Sequence, residues 1–286
     1  MPESKIENIS DTARWVALYR AMESERPDAH FRDPLARRLA GERGAAIAET
    51  LPGFKSGLWP MVVRTCVFDE LIRRAVETEG CDTVVNLAAG LDARPYRMRL
   101  PPATRWFDVD LPEILAYKRA ALTGERPLFR YQPEAIDLRD GEARRAFFDR
   151  VGRESRQVLV VTEGLLVYLT EDEVGSLALD LHAQPTFRWW LIDLGSPRLL
   201  KMLRRRWAKS LGTGGATLQF APAEGTAFFR KFGWKESEFR STWDESRRLK
   251  RQMPLAWLWR FLSRFSSPQK QEAIRRMAGN VLLERM

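Results

Sequence analysis

One run of residues, Thr83-Val84-Val85-Asn86-Leu87-Ala88-Ala89-Gly90-Leu91-Asp92, restricts the fold of this chain more than any other. Continuous apolar and β-branched residues ending in small ones read as a buried strand entering a tight turn. A second short strand, Arg105 to Asp110, ends in a carboxylate twenty residues after Gly90. That order opens a doubly wound α/β sheet with a nucleoside over the first turn and its ribose hydroxyls on the acid closing the next strand. Gly90 lets the main chain approach the ligand, because a Cβ there would stand in the way. Asp110, as a carboxylate, can accept two hydroxyl hydrogen bonds. The turn has neither the three-glycine fingerprint of dinucleotide enzymes nor a Walker lysine, so nothing in it cradles a pyrophosphate. A cofactor with ribose and adenine but no phosphate fits better, and S-adenosylmethionine is the leading candidate.

Composition sets the surroundings for such a sheet. With 286 residues, 44% hydrophobic and 30% charged, the chain has the make-up of an ordinary soluble globular protein with ample core. Met1-Pro2-Glu3-Ser4-Lys5 is charged and lacks an apolar run, and no stretch reaches bilayer-spanning length, so a cytoplasmic location is expected. Cys66 and Cys81 make neither a disulfide framework nor a metal-spaced cluster and read as reduced, half-buried thiols. A net charge of +9 raises the question of acidic partners. Its densest clusters, Arg204-Arg205-Arg206 and Arg247-Arg248-Leu249-Lys250-Arg251, lack interleaved aromatics. They are expected as solvated helix faces, with no nucleic-acid or membrane partner.

Residues 1–80 read as an N-terminal helical cap. Ser10 or Asp11 caps a helix carrying Trp15, Leu18, Tyr19 and Met22; Asp33-Pro34 starts a second; Met61 to Ala75 forms a third after a loop at Trp59-Pro60. From residue 81 strands and helices alternate, the pattern of parallel βαβ units. Expected strands are Leu128 to Gln132, the central Gln157 to Thr162, Phe187 to Leu194, one opened by Gly233-Trp234, and Asn280 to Leu283. Lys118 falls on an inner helix stripe with its stem snorkelling, and Thr170-Glu171-Asp172-Glu173 is a capping box. The alternation is broken at about 196–221 by a basic helix and Gly212-Thr213-Gly214-Gly215, an inserted lid, and at about 252–278 by a Trp-rich helical segment. The fold class is α/β: a Rossmann-like sheet over 81–286 with the helical cap in front of it.

The ordered set of tags Asp11-Thr12-Ala13, Phe31-Arg32-Asp33-Pro34, Val63-Arg64-Thr65 with Phe68-Asp69, Asn86 to Arg94, Val109-Asp110-Leu111-Pro112, Asp137-Leu138 and Thr162 to Leu169 resembles the leucine carboxyl methyltransferase-like family in its bacterial branch. The resemblance runs along nearly the whole chain. It implies a class I methyltransferase sheet and S-adenosyl-L-methionine as cofactor. It also implies roles: Arg64 on the methionine carboxylate, Gly90 at the close approach, Asp110 on the ribose, Asp137 and Leu138 facing adenine. Glu163 would stand beside the reacting end, on the methionine ammonium or bordering the substrate. Ala93 departs from the hydroxyl residue common before Arg94, and the family's N-terminal basic residue is Arg14 or Arg20. Asp92 and Arg94 read as braces of the turn.

The implied reaction is O-methylation of a small or medium organic acceptor, with natural-product biosynthesis as one setting. A carboxylate acceptor needs no general base, whereas a hydroxyl usually does. The chain has only two histidines, His30 and His182, which tilts the expectation toward a carboxylate. Candidate bases are Tyr168, Tyr19 and His30, and His182 reads as structural. No metal is expected. The substrate pocket is expected among the N-terminal helices, the 196–221 insertion and Trp257–Trp259. The alternatives are a nicotinamide-dependent oxidoreductase and a non-catalytic cofactor-binding scaffold.

Overall fold

The computed structural model describes residues 9–50, 54–207, 217–253, 255–258 and 267–286. Seven strands form one sheet: β1 (Thr83–Leu87), β2 (Arg105–Asp110), β3 (Arg130–Ala135), β4 (Val158–Thr162), β5 (Phe187–Gly195), β6 (Trp234–Ser241) and β7 (Ala278–Arg285). Their order is β3-β2-β1-β4-β5-β7-β6. The first five run parallel, while β7 is antiparallel to both β5 and β6. The order reverses between β1 and β4, and in open sheets ligands bind outside the carboxyl ends of the strands at such a point.

The period-two alternation of the central strands divides the core between two faces. Val85, Leu87, Phe107, Val109, Val158 and Val160 pack against α6 (Gly141–Glu154) and α7 (Glu171–His182). Val84, Trp106, Leu159, Val161 and Leu191 pack against α3 (Phe54–Glu77). α3 is therefore a layer of the sheet sandwich, although it lies inside the segment expected as cap. The helices that stand apart from that layer are α1 (Ile9–Ser24) and α2 (Ala36–Thr50), which pack on one another through Ala17, Leu18, Leu39 and Ala40.

Several boundaries moved from their expected places. α3 starts at Phe54 and carries Pro60 inside it, where a loop was expected. Its first turn is held from outside: Tyr19 stacks on Phe54 at 4.4 Å and donates its hydroxyl to the Phe54 carbonyl at 2.6 Å. Tertiary packing thus outweighs the hydrogen bond that proline removes. β3 begins at Arg130 and runs through Pro133, which is tolerated because β3 is a sheet edge. Short α4 (Arg94–Arg97) follows the β1 turn, and α5 (Pro112–Ala121) follows β2.

α8 (Pro197–Trp207) is the expected basic helix, but Gly212–Gly215 and Trp259 lie outside the described residues. A 3₁₀ segment at Gly225–Phe232 precedes β6. α9 (Thr242–Arg248) and α10 (Pro268–Arg275) flank the Trp-rich stretch, in which Trp257 is 63% exposed. Around α9 the solvated face expected holds for Arg247, Arg248 and Lys250, which are exposed, but not for Arg251, which is buried. Arg248 pairs with Glu70 and Glu245, and buried Arg251 with Glu23 and Asp28. Among the described residues no helix is long and apolar enough to cross a membrane.

Candidate functional site

The carboxyl ends of β1, β2, β4 and β5 meet in a hydrogen-bonded cluster. After β1 the chain turns sharply: Ala88 and Gly90 both take left-handed backbone, φ +51° and +54°. Ala88 holds that conformation at a cost of roughly 1–2 kcal/mol, which the packing around it must offset. A Cβ on Gly90 would come within 3.3 Å of Ala13 on α1. The amide of Gly90 donates to Asp110 Oδ2 at 2.6 Å, and Leu111 donates to Oδ1 at 2.7 Å. Burial raises Asp110 above the usual carboxylate range, against the two amides that favour its charge. The two acceptor sites left on this carboxylate are those a ribose diol would use.

Arg64, projecting from α3, lies at the other end of the site. Its Nε donates to Glu163 Oε1 at 3.0 Å and its Nη1 to Asp193 Oδ2 at 3.1 Å. Arg94 donates to Asp69, Asp92 and Glu163 at 2.6, 2.8 and 2.8 Å, and Arg97 clasps Asp69 with two nitrogens. Burial works against charge on Glu163, yet Arg94 and Arg64 hold it below its usual value. The same balance, set by Arg94 and Lys118, keeps Asp92 well below the carboxylate range. Asp92 and Arg94 brace the turn as expected. Beneath them Asn86 links Asp92 to Asp108, and Asp108 also accepts from Trp106 and from Lys118 at 2.5 Å. Lys118 is fully buried in this pair and does not snorkel, because Asp108 supplies a counter-charge inside the sheet layer.

The adenine-facing pair of the resemblance follows β3. Ile136 donates its amide to the Asp110 carbonyl, which brings Asp137 next to the end of β2. Asp137 is held by Arg139, whose bond keeps it below the usual carboxylate range. The cap of the helix that follows is Asp140, which accepts from Glu142 and Ala143. The Leu138 carbonyl accepts from Arg144 at 2.7 Å, and its side chain packs on the core.

Of the three candidate bases, Tyr168 is the one tied to this cluster. Burial raises its phenol, and a hydrogen bond with Thr12 and the charge of Arg64 only partly oppose that. Its proton is therefore retained at neutral pH. Tyr19 ties α1 to α3 as described. His30 sets Nε2 2.5 Å from the Leu249 carbonyl, which requires a proton on that nitrogen, and donates its amide to Glu23. His182 packs edge-on against Trp234 at 6.0 Å, a structural place. Of the two N-terminal arginines, Arg20 binds Asp33 at 2.8 Å and the Leu91 carbonyl of the turn, while Arg14 lies over the Tyr117 ring. Asp193 escaped the sequence reading altogether. Both cysteines are free and buried, their thiols pushed up to about 12 by burial.

The description leucine carboxyl methyltransferase belongs to the family model that matches residues 13–181. A Streptomyces coelicolor protein named as a candidate S-adenosyl-L-methionine-dependent methyltransferase is 36% identical over 184 residues, 60% of this chain and 64% of its own. A Frankia alni protein named in the same way is 37% identical over 176 residues, 58% of this chain and 61% of its own. The chain thus spans less than two thirds of the length of these curated relatives. Among solved structures, a DUF574-family protein of Streptomyces avermitilis superposes with a TM-score of 0.59 at 13% identity, over 96% of this chain and 97% of its own. A candidate methyltransferase of Thermobifida fusca gives 0.57 at 17% identity, over 99% and 96%. At such identities the likeness establishes the fold, a Rossmann-like class I methyltransferase sheet. The family match runs from α1 to the last turn of α7, taking in the β1 turn, Asp110 and Glu163 and covering more than half of the chain, so the protein belongs to the leucine carboxyl methyltransferase family.

Proposed function

We propose that the protein is an S-adenosyl-L-methionine-dependent methyltransferase acting on an oxygen of a small or medium organic acceptor, a carboxylate in preference to a hydroxyl. The observation that carries this reading is the pairing of Gly90 with Asp110 at one end of the site and the acid-clasped Arg64 at the other. The donor set suits the ligand. Asp110 keeps acceptor sites for a diol, Gly90 keeps the floor of the turn clear of a Cβ, and a planar guanidinium can grip a carboxylate in two places. Asp110 would hold the ribose, Asp137 and Leu138 the adenine, and Arg64 with Glu163 the amino-acid end. When bound, the cofactor supplies a methyl group on a sulfonium, open to in-line displacement by an oxygen nucleophile.

The work left to the chain is alignment and dryness. Holding the acceptor collinear and free of water can contribute up to roughly 7–11 kcal/mol. A retained phenolic proton makes Tyr168 a hydrogen-bond donor toward an acceptor oxygen, not a base that removes a proton. An acceptor ionised at neutral pH meets that limit without help, which supports a carboxylate over an alcohol. The carboxylates at the strand ends are each paired with an arginine or with backbone amides, an arrangement that favours a metal-free reaction.

The rival readings divide on one titration. Calorimetry should show S-adenosylhomocysteine binding and NAD not binding. NAD binding alone would favour the oxidoreductase, and neither binding would favour a scaffold. Turnover, once an acceptor is found, should survive a chelator and give a product whose methyl is released by mild base. Loss in chelator restored by magnesium would refute the metal-free claim, and a base-stable product would refute the ester.

A further inference from the structure

Asp193 lies near the end of β5, beside the end of β4, and is fixed at two points. Its Oδ1 accepts the Gly164 amide at 2.6 Å, and its Oδ2 accepts Arg64 Nη1 at 3.1 Å. Its side chain is 25% exposed, against 14% for Glu163 and 12% for Arg64, so it is the most open of the three. The ion pairs around them do not balance. Arg64, Arg94 and Arg97 face Glu163, Asp193, Asp92 and Asp69, three cations against four carboxylates. Arg20 and Asp33 add one of each sign. Glu163 is shared by Arg64 and Arg94, whereas Asp193 has Arg64 as its one arginine partner in this set. Asp193 is also the most open of the four carboxylates.

An arginine already forked between two carboxylates cannot take a third without strong like-charge repulsion unless one of them gives way. Asp193 is the member that can yield. We propose that Asp193 is a ligand-binding residue that exchanges partners. The carboxylate of the amino-acid end replaces it on Arg64 Nη1, and Asp193, still anchored by the Gly164 amide, accepts the ligand's α-ammonium. Both charges of a zwitterion then find a partner. The exchange rests on the methyltransferase reading but is separable from it.

The test uses calorimetry with three probes. These are S-adenosylhomocysteine, its deaminated analogue (the adenosyl thioether of butyrate), and methylthioadenosine, which lacks the amino-acid end. Asp193→Asn keeps an oxygen for the Gly164 amide and removes the charge. It should weaken S-adenosylhomocysteine by about ten- to hundredfold, tighten the deaminated analogue, whose carboxylate no longer competes with a charged Asp193 for Arg64, and move methylthioadenosine less than about twofold. The wild-type protein should itself prefer S-adenosylhomocysteine over the deaminated analogue by about tenfold or more, a comparison that needs no variant. Equal losses for all three probes would make Asp193 a mere anchor of the β4 turn and overturn the proposal. So would an unchanged affinity for S-adenosylhomocysteine, or a wild type indifferent to the amine. If the wild type bound none of the three, the cofactor reading itself would fall.

Discussion

Arg64 is forked between two carboxylates at the strand ends, Glu163 and Asp193. In this structure its charge is fully used: burial alone would weaken its hold on a proton, and Glu163 and Asp193 more than reverse that. Removing it would leave two carboxylates facing each other with one fewer counter-charge. Arg64→Ala should therefore lower thermal stability and also weaken S-adenosylhomocysteine by about 2–5 kcal/mol. Calorimetry on the folded variant checks this. Unchanged affinity would reduce Arg64 to an ion-pair residue. Its motif made Arg64 legible in the sequence, but Asp193 had no such tag. It sits inside an apolar strand, and its partner lies 129 residues away, so only the tertiary fold reveals the pair. Lys118 was misjudged for a related reason: its counter-charge, Asp108, belongs to an adjacent element and points into the layer that the helix covers.

Among the elements, α1 lies against the site. Ala13 abuts Gly90, Thr12 is bonded to Tyr168, and Arg20 reaches the Leu91 carbonyl. Across from it, residues Gln219 and Phe220 donate their amides to the Val167 carbonyl beside Tyr168. Segments held by a few such bonds around a binding site commonly loosen and close with the ligand. Hydrogen exchange in α1 and in residues 217–221 should slow when S-adenosylhomocysteine is added. Equal protection with and without it would make them a fixed wall. The central strands were readable because parallel strands buried on both faces are continuously apolar. β3 was displaced because an edge strand has no such signal: Gln132, Pro133 and Ala135 are exposed. The start of α3 was hidden because its stability comes from Tyr19, which is far off in sequence and which Gly57 lets approach; a Cβ on Gly57 would lie 2.6 Å from that hydroxyl. The role of α3 as a sheet layer was hidden in the same way, since its apolar stripe does not say which surface it covers.

For the molecule as a whole, charge buried beneath and around the site sets the response to acid. Burial opposes ionisation of Asp69, Asp92 and Glu163, yet their arginines hold all three below the ordinary range. Carboxylates depressed in the folded state contribute stability that is complete above their unfolded values, ~4, and is lost as pH falls through the folded ones. Asp110, raised by burial, has the opposite sign and costs stability as pH rises through its folded value, but it is one group against three. His182, lowered by burial and by Arg285, adds a smaller loss of the acid sign below ~6.5. The melting temperature should therefore decline gently from neutral pH and steeply below about pH 4. A midpoint that rose on acidification would contradict this account of the ion-pair cluster.

The residues proposed to hold the cofactor gather at the carboxyl edge of the sheet, between the β1 turn and the end of β4. A crystal structure of the protein grown with S-adenosylhomocysteine tests it most directly. The account predicts the ribose on Asp110, the main chain of Gly90 against the nucleoside, and the ligand carboxylate on Arg64. A nucleoside bound elsewhere, or crystals that stay empty at saturating ligand, would contradict it.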